Sequence, residues 1–160
     1  MKPRGARRGR TAAIVAIAAA VVSGSCARGP LPPVPLDTKN EACAFCRMGV
    51  VDRRFAAQLV APGEEPKFFD DIGCLRDYLV RAGSASSGAM AYVSDHRTRS
   101  WVPAAEAVYT RSPSVQTPMS SGLMAHVDAQ SREQDPDAPG GTPVTVADVF
   151  GARGAPGGTR

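Results

Sequence analysis

Three sulfur side chains fall within six residues of this chain, in the run CAFCRM. A single turn of chain can bring the thiols of Cys43 and Cys46 and the thioether of Met48 onto one metal ion. Sulfur donors at this density favour Cu(I), with Zn(II) second, because both ions accept thiolates and only the cuprous ion has much use for a thioether. The run therefore predicts metal handling rather than catalysis on an organic substrate.

The first 25 residues have the form of a secretory signal, in which a basic segment precedes a short apolar stretch at residues 12–22. That stretch is too short to span a bilayer, which takes about 20 residues. Small residues then lead to Cys26, an arrangement that resembles the lipobox of bacterial lipoproteins, although Ser23 stands where an aliphatic residue is usual. We expect residues 1–25 to be removed and Cys26 to be lipidated. The alternative is ordinary cleavage nearby, with Cys26 left as a spare thiol.

Removal of this signal changes the charge of the protein. The full chain has 19 basic and 15 acidic residues and a net charge of +4, but five of the basic residues lie in residues 1–25. The mature part then has 14 basic and 15 acidic residues. Because the basic character belongs to the removed segment, it gives no support for nucleic-acid binding. The sequence predicts a periplasm-facing protein that a lipid anchor ties to a membrane.

The mature part divides into a tether, a folded region and a tail. Residues 26–40 contain four prolines and no periodic apolar pattern, which is typical of an extended tether. Residues 151–160 are rich in glycine and predict a disordered tail. The length between these limits suits one compact domain, or two small halves that share a core.

The pattern in residues 41–95 predicts two strands, a helix and a third strand. The strand-like residues fall at 50–51 and 55–60, then at 67–69 and 90–94, and the helix begins after Asp70 or Asp71 as its N-cap. Residues 96–150 appear as a weaker repeat of this order. We therefore predict an α+β protein of two similar small ββαβ units.

In the second unit, the short strands are expected at residues 100–102 and 107–110, with a stronger one at 123–127. Helices are expected at residues 129–134 and 146–150, on either side of a break at 135–142. No sequence identity between the halves supports the repeat.

The four cysteines do not suit a disulfide framework. If Cys26 is acylated, Cys43, Cys46 and Cys74 remain, an odd number that cannot all be paired. A metal site explains reduced thiols outside the cytosol better than disulfides do. The alternative is a Cys43–Cys46 disulfide with Cys74 buried as a small apolar residue. In the first turn of the predicted helix, Cys74 is expected more as a core residue than as a ligand.

Two histidines are the other candidate ligands of the chain. A zinc site would draw on Cys74 with His96 or His126, but neither partner recreates a second CxxC or an HxxxH spacing. His96 falls in the polar turn SDHRTRS and is expected to be solvated. His126 lies among apolar neighbours in a predicted strand, where a structural histidine is the more common case.

Four segments together carry a resemblance to a known family. They are CAFCRM at 43–48, FDDIGCLRDYL at 69–79, VSDHRTRSWVPA at 93–104 and TPMSSGLMAHVD at 117–128. In this order and spacing they resemble the NosL family, copper-binding lipoproteins that serve as accessory proteins for nitrous oxide reductase. The resemblance covers residues 41–150 and implies a fold of two ββαβ units that is also seen in organomercurial lyase.

What the resemblance implies for this chain is a set of four Cu(I) ligands and no catalytic residues. The protein would be a copper chaperone without activity of its own, and its partner would be nitrous oxide reductase or the machinery that assembles it. Whether Cys74 or His126 joins the site stays open. The implied ligands are Cys43, Cys46, Met48 and Met119.

Two other functions remain as alternatives. A thiol–disulfide redox module would use Cys43 and Cys46, although a thioredoxin-type motif needs its first cysteine at a helix N-terminus after a strand. An organomercurial-lyase-like enzyme would need two cysteines and an acid on one substrate carbon. Its only candidate set is Cys74 with Asp70 or Asp71.

Overall fold

The computed structural model describes residues 29–158. Within these residues the chain forms two small antiparallel sheets and three short helices. The predicted α+β class is therefore confirmed. The predicted signal peptide, Cys26 and the first part of the predicted tether lie outside the described residues. Among the helices that are described, none has the length and apolar character needed to cross a bilayer.

The first sheet has four strands in the spatial order β2-β1-β3-β4, each antiparallel to its neighbours. Strands β1 and β3 are buried along their whole length, as expected for central strands covered on both faces. Strand β2 is an edge strand. The strands are β1 (Ala57–Val60), β2 (Lys67–Phe69), β3 (Met90–Ser94) and β4 (Trp101–Pro103).

Helix α1 (Ile72–Ala82) connects β2 to β3 and begins where the sequence predicts. Of the two candidate caps, Asp71 is the N-cap, and its carboxylate accepts a hydrogen bond from the amide of Gly73 at 2.6 Å. The buried residues of the helix lie in its first turn, which fixes that end against the sheets. Gly83 ends the helix with a φ of +74°, a conformation that glycine adopts without strain.

The second sheet has three strands in the order β6-β5-β7. Helix α2 (Ala129–Glu133) connects β6 to β7, so the order strand, strand, helix, strand of the first sheet recurs here with the same spatial arrangement. Helix α3 (Val146–Phe150) follows β7. The strands are β5 (Val108–Arg111), β6 (Leu123–His126) and β7 (Thr142–Val144).

Three elements differ from the sequence-based expectation. The segment expected at 100–102 as a strand of the second half is β4, which pairs with β3 of the first sheet. Residues 142–144 form β7, which was not predicted because Pro143 and the glycines before it indicate a break. Proline is accepted here because β7 is an edge strand. Val50 and Val51 precede β1 as loop rather than strand.

The predicted tether is partly folded onto the first sheet. The hydroxyl of Tyr92 donates to the carbonyl oxygen of Leu31. Val34 and the side chain of Gln58 exchange two hydrogen bonds, at 2.9 and 3.2 Å. Leu36 is buried in the core. The chain is therefore docked from Leu31 onward, which differs from the expectation of an extended spacer up to residue 40.

The glycine-rich tail also contacts the body of the protein. The amide of Ala91 donates to the carbonyl oxygen of Pro156 at 3.1 Å, and Ala155 is buried in the core. At least through residue 158, the tail is therefore packed rather than disordered.

The two sheets share one hydrophobic core and meet at a short backbone junction. Buried residues of both sheets, such as Phe69 and Leu123, belong to the same cluster. At the junction Asp95 bridges to Ala125, and the amide of His96 donates to the carbonyl oxygen of Ala125 at 2.8 Å. This junction brings His96, after β3, close to His126 at the end of β6.

Candidate metal centre

The cysteine run folds into a closed loop on the edge of the first sheet. The amide of Cys43 donates to the carbonyl oxygen of Met48 at 2.7 Å, and the amide of Arg47 donates back to the carbonyl oxygen of Cys43 at 3.0 Å. The amide of Ala44 donates to the carbonyl oxygen of Phe68 in β2 at 2.8 Å. The loop is thus closed on itself and attached to β2, which brings its thiols to the start of α1.

Three thiols and one carboxylate converge at this place. One ligand atom from each of the four residues lies within 4.8 Å of all the others. The Sγ atom of Cys46 is 3.4 Å from both carboxylate oxygens of Asp70. All three cysteines are free thiols, so the alternative of a Cys43–Cys46 disulfide does not describe this structure. We call Cys43, Cys46, Asp70 and Cys74 the thiol cluster.

Three of the four residues of the thiol cluster are buried, and the cluster is reached through the fourth, Cys46. Cys43 is fully buried, and Asp70 and Cys74 are each 2% exposed. Cys46 is only half-buried. An ion entering the cluster therefore meets Cys46 first.

The surroundings of Cys46 and Cys74 favour the protonated thiol over the thiolate when no metal is present. Burial raises the pKa of Cys74 far above its usual range, and the neighbouring Asp70 and Cys43 raise it further. Burial likewise raises the pKa of Cys46, with smaller contributions in the same direction from Cys43 and Asp70. Cys74 lies in the first turn of α1, where the helix dipole would favour a thiolate, but burial outweighs that effect.

The loop that carries Met119 is held at the start of α1 by Asp71. One carboxylate oxygen of Asp71 accepts from the hydroxyl of Thr117 at 2.6 Å and from the amide of Met119 at 3.0 Å, while its other oxygen caps the helix. This loop approaches α1 closely, since a Cβ atom added to Gly73 would lie 2.8 Å from the Cβ atom of Ser121. Asp71 therefore joins the two loops that flank the thiol cluster.

Asp71→Ala is expected to lower the free energy of unfolding by about 3 kcal/mol, because it removes a helix cap and two hydrogen bonds to a buried carboxylate. Urea denaturation measures this loss. Asp77→Ala is the matched control on the same helix, since Asp77 makes only a half-exposed ion pair with Arg76. That variant is expected to stay within about 0.5 kcal/mol of the wild type. Equal stability of the two variants would contradict the role given to Asp71.

The two methionines predicted as ligands are tied by backbone hydrogen bonds to Cys43 and Asp71, and both side chains are exposed. Met48 closes the cysteine loop through its backbone, and its side chain is 55% exposed. Met119 is fixed by its backbone to Asp71, and its side chain is 43% exposed. Exposed thioethers are accessible to an incoming ion or protein, unlike the thiols of Cys43 and Cys74.

Sequence reasoning assigned two members of the thiol cluster to other roles. Cys74 was expected in the core and Asp70 was considered as a cap or as an acid, whereas the structure places both beside Cys43 and Cys46. The available signal was that Asp70 and Cys74 lie close together in the sequence, on either side of the predicted helix start. His126 does not belong to this cluster.

The fold and this site define a small α+β protein built around a thiol-rich candidate metal centre. The family model of NosL matches residues 33–152, three quarters of the chain. The chain belongs to the NosL family, whose members are copper-binding accessory proteins, and the family predicted from the sequence is confirmed. A search of the curated proteins found no match.

Proposed function

We propose that this protein binds Cu(I) in the thiol cluster and delivers it to the maturation of nitrous oxide reductase. The observation that supports this proposal is that three free thiols from two separate segments of the chain lie close together. Solvent reaches this site at Cys46. Membership of a copper-binding accessory family supports the choice of metal. Cu(I) is the cargo of this site and leaves it again.

The donor set fits a cuprous ion better than a hard cation. Three sulfur atoms match the low coordination numbers and soft ligands that Cu(I) prefers, whereas Mg(II) and Ca(II) require oxygen ligands. Cys43 and Cys74 would form the inner wall, and Cys46 would complete the site from the open side. The carboxylate of Asp70 lies beside the thiol of Cys46 and would be next to the proton that this thiol releases.

Delivery by ligand exchange follows from the graded exposure of the sulfur atoms. Buried thiolates hold the ion, while Cys46 and the exposed thioethers of Met48 and Met119 can be replaced one at a time by soft ligands of a recipient protein. Thiolates and thioethers bind strongly and still exchange, so no redox step or catalytic group is required. In this proposal the protein is a copper carrier without catalytic activity of its own.

Met119→Leu is expected to lower the Cu(I) affinity by about tenfold, equivalent to about 1.4 kcal/mol, because it removes one thioether and keeps the side-chain volume. Competition with a chromophoric Cu(I) chelator, without oxygen, measures the change. Met90→Leu is the control, since Met90 is a buried core methionine in β3. An unchanged affinity in Met119→Leu would remove Met119 from the site. Met48→Leu tests the other methionine in the same way.

The lipid anchor belongs to the proposal as well. Leu31, five residues after Cys26, already docks on the first sheet. A lipid on Cys26 would therefore hold the folded body within about 18 Å of the membrane surface, the greatest reach of five residues. Intact mass after membrane extraction tests this, and an unmodified Cys26 would contradict it. We place the protein on the periplasmic face of a membrane.

The proposed function is tested by transfer. Full-length protein loaded anaerobically with one equivalent of Cu(I) is mixed with the copper-free reductase, and copper in each protein is measured after separation. Transfer that is faster than release to buffer supports a chaperone. Copper that stays on this protein in the presence of the reductase contradicts delivery to that enzyme. The competition with a Cu(I) chelator tests the binding site independently of delivery.

A thiol–disulfide module is not supported by the site. Redox motifs of that class depend on a thiolate stabilised at a helix N-terminus, and their reactive cysteine has a lowered pKa. Here Cys43 and Cys46 lie in a loop, and the pKa of Cys46 is raised.

An organomercurial lyase remains the second candidate, because one carboxylate lies among the thiols. In such a reaction a thiolate binds the mercury, Asp70 passes a proton to the carbon, the carbon–mercury bond breaks and the hydrocarbon leaves, with Hg(II) retained by two thiolates. Incubation with an organomercurial, followed by measurement of the released hydrocarbon, tests it. No hydrocarbon above the protein-free rate would dispose of this candidate.

A further inference from the structure

A second group of ligand-type side chains lies at the junction of the two sheets. His96 follows β3, His126 ends β6, and Asp135 follows α2. Their exposed fractions are 3%, 0% and 2%. His96 was expected to be solvated in a polar turn, and that expectation is wrong. We call these three residues the histidine cluster; it shares no residue with the thiol cluster.

Both imidazole rings meet one oxygen of one carboxylate. The Oδ2 atom of Asp135 is 2.6 Å from Nδ1 of His96 and 2.9 Å from Nε2 of His126. The other ring nitrogens, Nε2 of His96 and Nδ1 of His126, are buried and have no hydrogen-bond partner among residues 29–158. Buried polar atoms without partners are rare in native proteins, so this arrangement needs an explanation.

The surroundings of the histidine cluster carry an excess of negative charge. Arg54 pairs with Asp52 at 2.8 Å and approaches Asp137 at 3.7 Å, and Asp137 is in turn 4.0 Å from Nε2 of His96. Three carboxylates, counting Asp135, face a single guanidinium. In this group the carboxylates outnumber the guanidinium, which favours a cation.

The Nε2 atom of His96 indicates whether the site suits a hydrogen-bonded ring or a metal-bound ring better. If Nδ1 donates its proton to Asp135, the neutral ring presents a bare lone pair at Nε2 toward the carboxylate of Asp137, an unfavourable pairing. If a metal occupies Nδ1, the ring proton moves to Nε2 and faces Asp137. A carboxylate behind a metal-bound histidine is the usual outer partner in such sites.

We propose that His96, His126 and Asp135 form a second metal site, which takes a divalent ion such as Zn(II) and joins the two sheets. Imidazole and carboxylate donors suit Zn(II), whereas Cu(I) prefers the sulfur donors of the thiol cluster. Tetrahedral Zn(II) would place its donors about 3.3 Å apart, so each ring would move from Asp135 by roughly half an ångström. The remaining position would be taken by water.

The test uses the fact that the chain has two histidines, both in this cluster. The full chain is labelled with ¹⁵N-histidine, its thiol cluster is saturated with Cu(I) without oxygen, and Zn(II) is titrated in. We expect Nδ1 of His96 and Nε2 of His126 to shift with a stoichiometry of one zinc per chain. Ring resonances that do not respond to zinc would overturn the proposal and leave a network of hydrogen bonds only.

Two variants separate the donor set from a structural role. Asp135→Asn is expected to weaken zinc binding by at least about 100-fold, because it removes the charged donor. This loss is larger than the loss expected if Asp135 only contacted a metal ligand. Asp77→Asn, on the surface of α1, is expected to bind as the wild type does. If Asp135→Asn binds zinc normally, the assigned donors are wrong. Because the wild-type titration stands alone, a variant that fails to fold leaves the proposal testable.

Discussion

Cys46→Ser is expected to weaken Cu(I) binding by the full chain about 10³-fold, equivalent to about 4 kcal/mol, because it removes a thiolate from the metal itself. Cys46 is the thiol to replace first because it is half-buried and its loss leaves no enclosed cavity. Anaerobic competition with a chromophoric chelator measures the affinity. The predicted loss of affinity exceeds the roughly 10–100-fold loss that is typical when the replaced residue contacts a metal ligand and not the metal itself.

The matched control is Cys26→Ser, which replaces the one cysteine of the chain that lies outside the described residues and that we expect to be lipidated. Its affinity is expected to equal that of the wild type. Cys74→Ala adds a sharper comparison, because the sequence alone favours a core role for Cys74. A folded Cys74→Ala protein with wild-type affinity would contradict the three-thiol site and restore that simpler interpretation.

The Cu(I) affinity is expected to rise with pH by at least about 100-fold per pH unit around neutrality, because Cys46 and Cys74, the two thiols with raised pKa values, must each lose a proton to bind the ion. The sign follows from the raised pKa values of Cys46 and Cys74. The metal-free protein binds more protons than the loaded protein, so lower pH favours the metal-free form. Since both pKa values are raised, the increase continues through neutral pH.

Chelator competition at pH 6, 7 and 8 measures this dependence, and proton release in weakly buffered solution counts the protons directly. Cys46→Ser is expected to lower this dependence by about tenfold per pH unit, since one proton fewer is released. An affinity at pH 6 equal to that at pH 8 would contradict thiolate ligation.

The sequence predicts features that depend on neighbours along the chain. Helix α1 follows from an aspartate before a run with helical periodicity, and Asp71 is indeed its cap. The turn between β1 and β2 follows from Pro62 and Gly63. The two thiols of the CAFCRM run are only three residues apart, and local hydrogen bonds between Cys43, Arg47 and Met48 close the loop that brings them together.

Features that depend on tertiary contacts could not be predicted in the same way. Cys74 fits a helix core by periodicity, and only the attachment of the cysteine loop to β2 turns it into a possible ligand. His96 lies in a polar turn, but a partner 39 residues away, Asp135, buries it. Strand β4 joins the first sheet through pairing with β3, which no local pattern in residues 101–103 indicates.

The central claim is that the thiol cluster holds Cu(I). Its most direct test is the copper X-ray absorption spectrum of the full chain, loaded without oxygen with one equivalent of the ion. The account predicts a cuprous edge and a first shell of sulfur alone. Because both histidines of the chain lie in the other cluster, outer scattering from imidazole would place the copper there and contradict the account.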